Sequence, residues 1–310
     1  MSGMTYVFGP VASRRLGRSL GVDLVPFKTC SFDCVFCECG GTTSHTVVRK
    51  EYVPAKAVSA EIEAWSGMGG SADYITIAGS GEPTLHSRFG DIIRAIKKVT
   101  QIPVCLLTNG SLLHLPEVRA DASCADVVIP SLNAADERTF NRVCRPCRLC
   151  TFAQHIEGLR VFAAEYRGSL WLEVFIVPGM NDSAESIKAI AELAKGLAPR
   201  RIQLNTAVRP PAVGSIRAAS RPELEELAPR FTPKAEVIAS FPGSASPGSA
   251  DSIGAVRQML ERRPCTTADV AHGLGITAED ARRHIEELRS TGVLNTELRG
   301  EAVYYSARRG

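Results

Sequence analysis

Two kinds of apolar pattern alternate along most of the chain. Short runs of consecutive apolar residues, "VDLV" (22–25), "YITIA" (74–78), "VCLLT" (104–108), "DVVIP" (126–130), "LWLEVFIV" (170–177) and "RIQLNT" (201–206), have the length and β-branched content of buried strands. Between them, "PAKAVSAEIEAW", "FGDIIRAIKKV", "FAQHIEGLRVFAAEY" and "SAESIKAIAELAKGL" repeat their apolar positions at helical spacing. Strand–helix alternation predicts an α/β fold on a parallel sheet, open or closed into a barrel.

The pattern breaks near residue 241 at "FPGSASPGSADS", a Pro/Gly/Ser-rich stretch that reads as a linker over 243–251. Residues 252–310 then give three helical segments and two short strands, the order of a winged helix-turn-helix. Thr277, three residues before Asp280, is placed to cap the last helix. The expected organisation is a barrel domain over 1–242, the linker, and a winged-helix domain over 252–310, with few contacts crossing between them. Residues 251–310 carry nine Arg, no Lys and nine Asp/Glu. Their neutrality weakens the case for DNA binding, because phosphate neutralisation dominates such affinity. Substrate recruitment or dimerisation is at least as good a reading.

Composition narrows the class. A chain of 310 residues with 45% hydrophobic and 22% charged residues suits a globular protein with a large core. The start, "MSGMTYVFGP", lacks the basic and apolar regions of a secretory signal, and the apolar runs are too short to span a bilayer. A cytoplasmic location without membrane attachment is expected. There, thiols stay reduced, so the ten cysteines are ligands, reactive groups or core residues rather than disulfides. Cys105, Cys124 and Cys265 stand alone and read as small core residues. The net charge of +3 is too small to argue for nucleic acid by itself.

The unusual residues gather after the strands: the cysteine loop after the first, "GSGEPT" after the second, then "NGS", "SLN", "PGMND" and "AVRPP". Strand carboxyl ends are where barrels and open α/β sheets build their sites. The loop "TCSFDCVFCECG" (29–40) holds Cys30, Cys34, Cys37 and Cys39. Four thiolates would close a structural zinc site, although such a site would staple only its own loop. Three thiolates, Cys30, Cys34 and Cys37, would hold an iron–sulfur cluster and leave one iron open for chemistry.

The segment "CSFDCVFC" resembles the cluster loop of the radical S-adenosylmethionine superfamily, with Phe36 at its aromatic position. The resemblance extends over roughly residues 5–245. "GSGEPTL" is similar to the family's Gly-Gly-Glu-Pro segment, placing Ser80, Gly81, Glu82 and Pro83 by the cofactor. The Glu82 carboxylate would then accept from the methionine ammonium. "LLTNG" and "SLN" resemble the third- and fourth-strand motifs, which assigns Thr108, Asn109, Ser131 and Asn133 to the cofactor as well. The family implies an incomplete TIM-like (β/α) barrel, a 4Fe–4S cluster on Cys30, Cys34 and Cys37, and S-adenosylmethionine chelated to the open iron. It also implies cleavage of S-adenosylmethionine to methionine and a 5′-deoxyadenosyl radical that abstracts hydrogen from a substrate. An external electron donor, flavodoxin or ferredoxin-like, follows from that chemistry.

The opening "GPVASRRLGRSLGVDLVPFKTC" and "LNTAVRPP" are similar to a subgroup related to tRNA wyosine-synthesising enzymes, which favours RNA as substrate over a peptide or small metabolite. Arg14, Arg15 and Arg18 are then candidates to hold an anionic substrate or nucleic acid phosphates, or else form a solvated or salt-bridged turn. One departure is "NRVCRPCRLC", where Cys144, Cys147 and Cys150 have ferredoxin-like spacing. The sharper reading is a second iron–sulfur cluster or other metal, with Cys39 a candidate further ligand; the blander is three separate thiols. Arg142, Arg145 and Arg148 are expected to favour thiolates there. From a different class, the rival is a zinc-binding winged-helix transcription regulator.

Overall fold

The computed structural model describes residues 4–239, 253–300 and 302–308; the linker expected at 243–251 lies outside the described residues. The chain begins with an antiparallel pair, β1 (Val7–Ser13) and β2 (Gly17–Asp23). A two-residue parallel pair, β3 (Thr29–Cys30) and β4 (Ser44–His45), closes the base of the cysteine loop. Helices and strands then alternate: α1 (Ala55–Gly67), β5 (Tyr74–Ala78), α2 (Phe89–Val99), β6 (Val104–Thr108), α3 (Pro116–Ala122), β7 (Val127–Pro130), α4 (Glu137–Cys144) and α5 (Phe152–Glu165). The series continues with β8 (Ser169–Phe175), α6 (Ala184–Gly196), β9 (Arg201–Asn205), α7 (Arg221–Leu227) and β10 (Glu236–Val237).

These strands form one sheet in the order β1-β2-β5-β6-β7-β8-β9-β10, parallel throughout except at β1–β2. It is the α/β arrangement of an incomplete TIM-like barrel, with β1 and β10 at its two edges. The first strand is longer and earlier than "VDLV" suggests, and the hairpin with β1 was not anticipated. Its polar residues, "SRRLGRS", carry no strand signal of their own.

One face of the sheet buries Leu20, Val22, Ile75, Ile77, Leu106 and Leu172 against the helices, in a core that includes Ile62, Ile96 and Phe162. The alternate residues face inward, where Leu16, from the hairpin turn, packs with Cys105, Ile129 and Trp171. Helix signals agree with this placement. In α2, Ile92, Ile93 and Ile96 are buried, with Asp91 in the first turn and Lys97 and Lys98 in the last, matching the helix dipole. A Thr151–Gln154 capping box starts α5, and Ser183 caps α6.

The C-terminal residues form α8 (Ile253–Arg262), α9 (Thr267–Leu274), α10 (Ala278–Ser290) and an antiparallel hairpin, β11 (Leu294–Arg299) and β12 (Ala302–Ala307). Thr277 caps α10 by accepting from the Asp280 N–H. These elements have their own core, but Val11 of β1 packs into it. Arg262 lies over the Phe8 ring at 3.9 Å, and Gln258 donates to the Met4 carbonyl at 3.1 Å. The boundary is therefore crossed by more than a linker. The edge strand β1 offers an uncovered surface, and α8 and α9 cover it.

Candidate functional site

Cys30 ends β3, and Cys34, Cys37 and Cys39 follow in the loop above the sheet. The loop is held in shape by Asp33, which accepts from the Thr42 N–H at 2.7 Å, and by the Thr42 hydroxyl, which donates to the Phe32 carbonyl at 2.8 Å. Donors point at its sulfurs. The Phe32 N–H lies 3.4 Å and Asn109 Nδ2 3.5 Å from Cys30 Sγ, while the buried Lys28 ammonium donates to Cys37 Sγ at 3.0 Å. Burial pushes the Cys30 thiol up to about 12. A hydrogen bond from Cys39, with Lys28 beside it, holds Cys37 well below the ordinary thiol range. Phe36 stacks on Phe175 of β8, ring centroids 3.9 Å apart.

The next three strand-end loops interlock with this one. Gly81 touches the cysteine segment directly: a Cβ there would collide with the Thr29 carbonyl, which also accepts from the Glu82 N–H at 3.0 Å. Ser80 donates to Asp23 at 2.9 Å, and its carbonyl accepts from Lys28. Pro83 opens a single 3-10 turn, Pro83–Leu85, capped by Glu82. The Glu82 carboxylate is buried and accepts from the Thr84 N–H, the Thr84 hydroxyl, the Thr108 hydroxyl at 2.6 Å and the Asn109 N–H at 2.7 Å. Asn109 in turn donates to Ser31 at 2.9 Å. Glu82 thus ties the second and third loops together, a role that sequence reading did not give it.

Ser131 and Asn133 continue the ring. The Ser131 N–H donates to the Thr108 carbonyl, and Asn133 accepts from the Phe175 N–H at 2.8 Å. Behind them, fully buried Asn181 donates to the Asn133 and Phe175 carbonyls. His155 packs against Phe32 and Phe140, and burial lowers it to about 4. Asn181 and His155 were missed, since an isolated Asn or His has no local signature.

The cysteine loop thus stands at the carboxyl end of a parallel sheet, bound to the second and third strand-end loops. A Radical SAM superfamily model matches residues 24–194. The chain belongs to the radical SAM superfamily. Membership supports an enzyme and implies a 4Fe–4S cluster and S-adenosylmethionine; radical SAM enzymes generally need an electron donor. A protein named GTPase Obg from Brachyspira hyodysenteriae is 33% identical over 96% of this chain, which spans 44% of that protein's length. A UPF0026 protein from Methanocaldococcus jannaschii is 35% identical over 67% of this chain and 65% of its own. The fold resembles a radical SAM methyltransferase from Sphaerobacter thermophilus, with a TM-score of 0.53 and 17% identity over 71% of this chain and 65% of that one. The alternative of a zinc-binding winged-helix regulator draws no support from these relationships. Among the described residues, no helix is long and apolar enough to cross a membrane.

The second cysteine run folds onto the radical SAM loop. Cys147 N–H donates to the Ser31 carbonyl at 2.8 Å, and the Val35 N–H donates to the Val143 carbonyl at 3.1 Å. Cys144 and Cys150 are buried beside Phe32, Val35 and Phe140, and Cys34 and Cys144 are side-chain hydrogen-bond partners. The arginines do not produce the expected effect at Cys150, where burial raises the thiol to about 12.

The arginine turn matches the salt-bridged alternative at Arg14 and Arg15. Arg14 points inward to Asn205 at 3.0 Å and Glu38 at 3.3 Å, and Arg15 to Glu173 at 2.6 Å. Both belong to the inside of the barrel. Arg18, in β2, donates its N–H to Asp73 at 2.7 Å.

Proposed function

We propose that the protein is a radical S-adenosylmethionine enzyme that holds a 4Fe–4S cluster on Cys30, Cys34 and Cys37 and modifies a substrate through a 5′-deoxyadenosyl radical. The observation that carries this reading is the convergence of donors on those sulfurs, Asn109 and Phe32 at Cys30 and Lys28 at Cys37. Such contacts suit thiolates in a cluster. When bound, the cluster supplies the electron for reductive cleavage of S-adenosylmethionine. Cys39 stands outside the ligand set, as a hydrogen-bond partner of Cys37.

Phe36, Ser80, Gly81, Pro83, Thr108, Asn109, Ser131 and Asn133 line the cofactor side in this reading, and Glu82 positions two of their loops. Buried Cys144 and Cys150 favour a packing role over a second cluster. RNA is the favoured substrate class, from the likeness of the opening segment to wyosine-related enzymes; a peptide or small metabolite is the runner-up. A flavodoxin- or ferredoxin-like protein is the electron donor. We read residues 1–242 as the barrel domain, 243–251 as a linker and 252–310 as a winged-helix domain; residues 240–252 lie outside the described residues. Ten free thiols fit a reducing, cytoplasmic compartment.

Anaerobic reconstitution with iron and sulfide, followed by dithionite and S-adenosylmethionine, tests the reading. A brown protein with about four irons that releases 5′-deoxyadenosine is expected. Colourless zinc-bearing protein that releases none would overturn it.

A further inference from the structure

Two cavities meet at one arginine. The inner cavity, about 150 Å³, lies inside the barrel among Arg14, Arg15, Ser19 and Thr76. The outer one, about 360 Å³, lies between the cysteine loop at Cys39 and Gly40, the segment after β9 at Pro211, and Asn295 and Ser306 of the C-terminal hairpin. Arg263, just past α8, lines both. The outer volume falls within the range of about 300–1,000 Å³ that small-molecule sites occupy.

The walls of this space are fastened together. Arg209, its side chain 1% exposed, donates to Glu38 of the cysteine loop at 3.0 Å and to Asp269 of α9 at 3.2 Å. The Glu38 carboxylate also accepts from the Val208 and Arg209 N–H groups. Tyr304 of β12 donates to the Val208 carbonyl at 3.2 Å. The C-terminal elements are therefore a built wall of the cavity, held to the loop that carries the cysteines.

Charge singles out Arg263. Arg14 faces Glu38, Arg15 faces Glu173, and Arg209 faces Glu38 and Asp269. Among the described residues the Arg263 guanidinium forms no ion pair with a carboxylate. Its side-chain hydrogen-bond partner is the buried Cys265 thiol, and Glu38 and Cys39 feel its charge at longer range. Arg14, Arg15 and Arg209 are matched in number by Glu38, Glu173 and Asp269, and Arg299 of the outer cavity is paired with Glu297. Among these described residues, Arg263 is left as the unbalanced charge. Burial, opposed by Glu38, lowers Arg14 to about 10, and Arg209 and Arg15 push it the same way. An incoming anion would meet an arginine that no carboxylate neutralises and whose fork of donors is engaged only by one thiol.

We propose that this composite cleft is a substrate subsite in which Arg263 receives an oxyanion, a phosphate or a carboxylate, with Asn295 and Ser306 as neutral hydrogen-bonding neighbours. The bound molecule enters between the C-terminal elements and the cysteine loop, and its remainder extends past Arg263 toward the barrel interior. The assignment rests on the enzyme reading only for calling the ligand a substrate; the anion site itself needs no cluster.

Calorimetric titration of the full chain with inorganic pyrophosphate and, separately, with succinate tests it. Binding of at least one probe is expected, weakened about tenfold or more by Arg263→Gln and abolished by Arg263→Glu, the scale of one lost charge-assisted bond. Arg257→Gln removes the same charge from an exposed i,i+4 pair with Glu261 on α8 and should leave binding unchanged. Preference for pyrophosphate would identify a phosphate ligand, and preference for succinate a carboxylate. If the native chain binds neither probe, or Arg257→Gln weakens binding as much as Arg263→Gln, the subsite is wrong. Release of 5′-deoxyadenosine, measured in parallel, reports separately on the radical reading.

Discussion

Glu38, set between Cys37 and Cys39, accepts from Arg209 at 3.0 Å although the two residues lie 171 positions apart. Burial opposes the Glu38 carboxylate, yet Arg14 and Arg209 hold it below the usual carboxylate range. Because Arg209 also grips Asp269, the loop bearing the cysteines and the C-terminal elements share one buried cation.

Arg209→Gln should therefore loosen both partners. Removing one member of a buried pair leaves uncompensated charge and costs about 3–5 kcal/mol; the partial exposure of Asp269 argues for the low end. Urea unfolding of the apoprotein should show a lower midpoint, and the reconstituted protein should lose iron faster on anaerobic gel filtration. Removing residues 253–310 should have the same two effects. Native-like iron retention in both variants would show that the loop does not depend on this contact.

Single Cys30→Ala, Cys34→Ala and Cys37→Ala variants should each lose the S-adenosylmethionine-responsive cluster signal in electron paramagnetic resonance, since three thiolates are needed. Cys39→Ala should keep it. Equal loss in all four would restore the closed four-thiolate site. The triple change of Cys144, Cys147 and Cys150 to Ala should leave iron content unaltered; a fall by about half would instead assign a second cluster.

Glu82→Gln preserves shape but not acceptor count. Four donors aim at the two Glu82 oxygens, and an amide nitrogen in place of either leaves at least one of them unmet. Melting of the apoprotein should fall by the equivalent of about 1–3 kcal/mol, with weaker S-adenosylmethionine binding by calorimetry. An unchanged melting curve would mean that Glu82 does not couple the two loops.

His155 gives a pH dependence. Burial lowers it to about 4 from its ordinary 6.5, so between those values the unfolded chain binds the proton that the folded chain refuses. Stability is full above the unfolded value and is lost as pH falls toward 4, by about 3 kcal/mol at the lower end. His155→Phe should unfold with a shallower loss between pH 7 and pH 4.5 in urea titrations. Parallel pH profiles for variant and native protein would remove His155 as the cause.

Secondary structure was legible because its signals are local. Apolar spacing placed β5, β6 and the helices α2, α5 and α6 within a residue or two, and the Thr277 cap stands as read. The cysteine loop stood out for the same reason, four thiols within ten consecutive residues, whereas the Gly81–Glu82 segment was read only through its likeness to the family's motif. The β1–β2 hairpin was not, because its polar turn pairs with no pattern until the barrel supplies Asn205, Glu173 and Glu38.

What the sequence by itself determined is the order of strands, helices and clustered cysteines, each fixed by side chains a few positions apart. Only the tertiary structure decided where the charges go. Arg14 meets Asn205 and Arg15 meets Glu173 across 191 and 158 residues. It decided too that Glu82 is an internal clasp and that the C-terminal elements wall the site rather than trail from it. Such pairings depend on how the sheet curves and which edge the last helices cover, so they are set by long-range packing and by the cost of burying a charge without a partner.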